Sequence, residues 1–140
     1  MRRYLVTAAA WLEIVTGAAL IAVPSIPCQL LFAAGPEGAG VPLARLAGIG
    51  LIALGVACLP PTEEPPRSAM LGLFAYNFGT AILAAWVGLA TTLRGSLLWP
   101  AAALHAVIAA GLLAQLVTKG SFGPKPRRIR INQKINATRS

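Results

Sequence analysis

Four apolar runs constrain this chain more than any other feature: residues 4–23, 41–59, 68–90 and 97–117. At about 1.5 Å per residue, each is long enough as a helix to cross the roughly 30 Å hydrocarbon core of a bilayer. The clearest is Val41 to Pro60, rich in glycine and carrying one charge, Arg45. Only 11% of the 140 residues are charged. That is too few to cover a water-facing surface, because a soluble domain carries about 25%. The expected fold class is all-α, an integral-membrane antiparallel four-helix bundle over residues 1–118.

Punctuation between the runs supports this division. Pro24 and Pro27 follow the first run, Gly35-Pro36-Glu37-Gly38 reads as a turn, and prolines 60, 61, 65 and 66 bracket a short charged loop. Pro42 and Pro100 stand in the first turns of their spans, where a missing N–H costs nothing. Ser68 and Ser96 are the expected N-caps of the third and fourth spans. Cys28 to Ala34 is apolar but too short to cross, so it either lies at the interface or forms one helical turn. Arg2-Arg3 before an apolar run has the look of a signal peptide, but Glu13 interrupts the run. An uncleaved first helix is the expectation.

The net charge of +8 is concentrated at the ends, with nine of the twelve basic residues before the first span or after the last. Basic residues flanking spans set topology and contact lipid headgroups, whereas a nucleic-acid binder spreads them over a folded polar face. Both termini are therefore expected on the cytoplasmic side of the membrane. Residues 119–140 read as a basic, mostly disordered tail in which Lys119, Lys125, Arg127, Arg128 and Arg130 contact headgroups. The expected partners are membrane lipids, with a second copy or a larger membrane complex; no nucleic acid is expected.

Every span holds a polar residue that is expensive in lipid: Glu13, Arg45, Asn77 and His105. Helix rise places them about 15, 6, 21 and 12 Å from the outer face, in that order. In the second span Arg45, Gly48, Ile52 and Gly55 recur at helical spacing, and in the third so do Asn77, Ala81, Ala84 and Gly88. Such small-residue faces let helices approach closely. Two readings stay open: an intramembrane polar cluster that binds a small ligand or passes a proton, or cross-helix pairing that holds the bundle in register. His105 is the sole histidine, so haem ligation lacks a second histidine. No metal-ligand spacing, P-loop, GxSxG or CxxC occurs. No cofactor, metal or catalytic residue is expected, and Cys28 and Cys58 lie too far apart to pair.

Glu13 with Thr16-Gly17, then Arg45-Leu46-Ala47-Gly48, Leu54-Gly55, Tyr76-Asn77, and Leu98-Trp99-Pro100-Ala101 with His105 form an ordered set. That set resembles small bacterial four-span proteins of the DoxX-like kind. The resemblance implies an antiparallel four-helix membrane bundle with no settled activity. Some DoxX-like proteins are implied to be subunits of quinone-linked sulfur oxidoreductases, but no matching catalytic motif is present and that role is not transferred. The expected function is a non-enzymatic accessory or interaction protein of the membrane. The alternatives are a small oligomeric transporter or ligand-binding bundle, and a lipid- or quinone-linked enzyme subunit.

Overall fold

The computed structural model describes residues 2–59 and 64–120, apart from the side chains of 2, 119 and 120. The described residues form five helices: α1 Arg2–Ala22, α2 Ser25–Phe32, α3 Gly40–Cys58, α4 Arg67–Ala90 and α5 Leu98–Gly120. All but α2 are long and apolar enough to cross a membrane. Their outward faces carry large bare side chains, such as Leu89 at 74% exposure and Val107 at 70%. The headgroup residues expected at 125, 127, 128 and 130 fall outside the described residues.

The short apolar segment after α1 forms two helical turns instead of one. Pro24 sits at the N-cap of α2 with φ −59°, a value its ring already favours. The helix stops where Ala33 turns left-handed at φ 55° and its N–H bonds back to Gln29 O. Gly38, at φ +49°, then reverses the chain, and Gly40 N–H bonds Glu37 O at 2.7 Å to start α3. Neither expected serine is seen capping. Pro66 precedes α4, which starts at Arg67 without a side-chain cap bond. At α5, which starts at Leu98, the Gly95 and Leu97 carbonyls accept the N–H groups of Leu98 and Ala101.

The long helices associate in two intimate pairs. In the first, Gly17 of α1 faces Gly48 of α3 so closely that a Cβ on either would lie about 2.5 Å from the other's carbonyl oxygen. Seven residues on, Gly55 lies against Ala10 O and Ile14. In the second pair, Gly88 of α4 lies under the Trp99 indole of α5. Small residues at these positions let the helix backbones of each pair approach closely.

The two pairs share a core at one end only. Val6, Ala9 and Ala10 of α1 meet Cys58 of α3, Met70 and Leu73 of α4, and Ile108, Leu112 and Leu116 of α5 there. Cys58 Sγ reaches Ala69 O at 3.6 Å and ties the end of α3 to the start of α4. Toward the other end α2 packs against α1 and α5 and roofs the space between the two pairs.

That roof is locked from the opposite pair. The Leu30 and Leu31 carbonyls of α2 lie in its last turn, where helical partners run out. They accept the Leu97 and Gly95 N–H groups, each at 2.9 Å. A Cβ on Gly95 would overlap the Leu30 carbonyl group, so this contact requires glycine.

Candidate functional site

Three of the four polar residues singled out in the sequence converge midway along the bundle. Glu13 is 1% exposed and Asn77 fully buried. Asn77 Nδ2 donates to Leu73 O at 2.8 Å, and its Oδ1 lies 2.7 Å from His105 Nδ1. The Glu13 carboxyl lies beside the Asn77 side chain and the Tyr76 hydroxyl, which act on it as hydrogen-bonding neighbours. Its Oε1 is nevertheless buried without a hydrogen-bond partner. The Tyr76 ring meets the His105 imidazole edge to face at 6.0 Å. Polar side chains of α1, α4 and α5 thus form one connected group.

Arg45 does not join them. It is exposed on α3, while Gly48, three residues on, is buried against α1. At 100° per residue, three positions leave it about 60° off the glycine stripe. The depth ladder separated Asn77 from His105 by about 9 Å by treating the helices as upright and flush-ended. The 24-residue α4 is longer than its neighbours, and the two side chains meet.

Tyr76 and Thr80 were not singled out from the sequence as site residues, and neither was Thr16. Their signal is spacing. Thr16 follows Glu13 by three positions and Thr80 follows Tyr76 by four, so each shares a helix face with its partner.

His105, Tyr76, Thr80 and Thr16 form the polar wall of a cavity of about 650 Å³ between the two helix pairs. Its remaining walls are apolar: Leu51 and Leu54 of α3, Ala84 and Val87 of α4, and Phe32 of α2. A second cavity, about 440 Å³, lies between α1, α2 and α5. His105, Thr16, Leu31 and Ala101 border both, so the imidazole stands where the two spaces meet. No Asp, Glu, Lys or Arg lines either space. Cys28 lies at the roof end of the larger cavity, where burial pushes its thiol pKa up.

The described residues contain no group of three or more His, Cys, Asp or Glu side chains able to hold a metal ion. Comparison of the chain with protein-family models, with curated proteins and with solved structures returns no match. The functional reading therefore rests on the geometry of the site.

Proposed function

We propose that this chain is a small non-enzymatic protein of the bacterial inner membrane that holds a mainly apolar molecule, drawn from the bilayer, between its two helix pairs. The observation that carries the reading is the 650 Å³ cavity, lined by mainly apolar residues with Thr16, Tyr76, Thr80 and His105 as its polar side chains. Ligand sites of 300–1,000 Å³ with apolar walls and a few convergent polar groups are the usual design for small molecules. Several lining residues of α3 and α4, Ala47, Gly50 and Leu83 among them, are exposed, so the space opens sideways between these helices. A bilayer-dissolved molecule enters by that route without crossing water.

The arrangement in the membrane is an antiparallel bundle with both termini cytoplasmic. Pairing of Gly17 with Gly48 and of Ala10 with Gly55 supports opposed directions for α1 and α3. The basic residues at both chain ends support the orientation. The likeness to DoxX-like four-span proteins points to the same bundle. Exposed Arg45 and the basic tail then hold anionic headgroups on opposite faces.

The test is extraction and mass spectrometry of small molecules that co-purify with the full chain. Ala84→Phe fills the cavity from α4 and should lower the co-purifying molecule at least about tenfold in a protein that still elutes as a folded species. Equal amounts in the variant and the original chain would sink the cavity reading. A reporter fused after residue 140 should report a cytoplasmic C-terminus.

A further inference from the structure

The cavity has a hydrogen-bond polarity, fixed by Asn77. A carbonyl oxygen only accepts, so the Asn77 atom 2.8 Å from Leu73 O is the NH₂ group. That leaves Oδ1 toward His105 Nδ1 at 2.7 Å. Oδ1 also only accepts, so Nδ1 carries the proton. In a neutral imidazole the proton on one nitrogen leaves a lone pair on the other. Among the described residues His105 Nε2 has no hydrogen-bond partner. It sits on the ring edge away from Nδ1 and its buried partner, and His105 borders both cavities. In its neutral form the imidazole therefore presents an acceptor with nothing to accept, in a cavity also lined by Thr16 and Thr80.

We propose that the molecule bound here is a neutral, mainly apolar compound bearing a hydrogen-bond donor, a lipophilic alcohol in the first place, whose O–H donates to His105 Nε2. The inference rests on the cavity-binding reading above and names the ligand chemistry. Charged headgroups are disfavoured because no lining residue offers an opposite charge. Molecules with acceptors alone, such as ethers, leave Nε2 unpaired, and a site built around a buried polar group rejects ligands that leave it unmatched. An alcohol meets the wall in both senses. Its O–H donates to Nε2, and its oxygen stays able to accept from a hydroxyl of the same lining, which holds Thr16 and Thr80.

The experiment compares hexadecan-1-ol with hexadecyl methyl ether on the full chain in lipid nanodiscs, with binding read by native mass spectrometry. The alcohol should bind at least about tenfold tighter than the ether. The preference should vanish in His105→Phe. Equal binding of both probes would overturn the donor requirement while leaving the cavity reading standing; binding of neither would overturn both. The ¹⁵N spectrum of the imidazole in the unmodified chain serves as a second measurement if His105→Phe does not fold. It should show Nδ1 protonated and Nε2 bare, with only Nε2 shifting on addition of the alcohol. A proton on Nε2 in the ligand-free protein would overturn the inference.

Discussion

The two ends of this bundle are made of the same kinds of residue and are packed in opposite ways. At the end holding the N-terminus of α1, all four long helices share one core, and Met70, Leu73 and Leu112 are fully buried. At the end under α2, the helices stay together only within their pairs, and a cavity of about 650 Å³ separates the pairs. Apolar content does not distinguish the ends; the placement of small residues and hydrogen bonds does. Glycines at 17, 48 and 55 join α1 to α3, and Gly88 with Trp99 joins α4 to α5. Among the described residues, polar ties between the pairs are Glu13 of α1 beside Tyr76 and Asn77 of α4, midway along the bundle, and the bonds from Gly95 and Leu97 to α2 under the roof.

The largest effect should come from breaking a pair. Gly48→Leu drives a side chain into Gly17 O and the Leu20 and Ile21 side chains. It should destabilise the bundle by about 3 kcal/mol or more, read as thermal unfolding in detergent. Gly50, two residues on, meets nothing within 4 Å, and Gly50→Ala should stay within about 0.5 kcal/mol of the original. If the two variants behave alike, glycine packing does not hold α1 to α3.

Next in size is the roof. Gly95→Ala overlaps the Leu30 carbonyl and displaces two hydrogen bonds. The loss should be about 2 kcal/mol, at about 1 kcal/mol per bond. It should fall on the open end, raising hydrogen exchange at Leu97 while leaving Met70 and Leu73 protected. Exchange rising at both ends alike would show that the two ends are one cooperative unit.

Asn77→Leu removes the acceptor of His105 Nδ1 and a neighbour of Glu13. Intramembrane hydrogen bonds average about 0.6 kcal/mol, so the stability loss should be about 1 kcal/mol. The sharper readout is the imidazole ¹⁵N spectrum, which should change from a single tautomer to a mixture. The smallest effect concerns Cys28. Burial raises its thiol pKa, so less thiolate is present at neutral pH. Labelling by a maleimide should be slower than for a peptide thiol at pH 7 and should keep rising at pH values where the peptide thiol has levelled off. Gly95→Ala should speed it.

The long helices were legible because their signal is additive: about twenty apolar residues in a row outweigh any local ambiguity. Glu13, Asn77 and His105 were legible as inward-facing residues because polar groups in lipid must find one another. Their relative heights were not, since rise per residue says nothing about tilt. Arg45 shows the limit of face counting near a helix end, where a 60° offset turns a long side chain outward. Tyr76 and Thr80 escaped because hydroxyls are common in such helices and their role depends on what lies opposite. The clasp between α2 and the residues before α5 left only Gly95 as a trace, because its bonds are between backbone atoms.

That clasp bears on the order of biosynthesis. The carbonyls of Leu30 and Leu31 are made more than sixty residues before the N–H groups of Gly95 and Leu97 that satisfy them. While α3 and α4 are being synthesised, the last turn of α2 has only water or lipid headgroups to bond. The roof can be latched only after residues 95 and 97 have been made. A nascent chain arrested between α4 and residue 95 should therefore hold the α1–α3 pair with α2 unlatched.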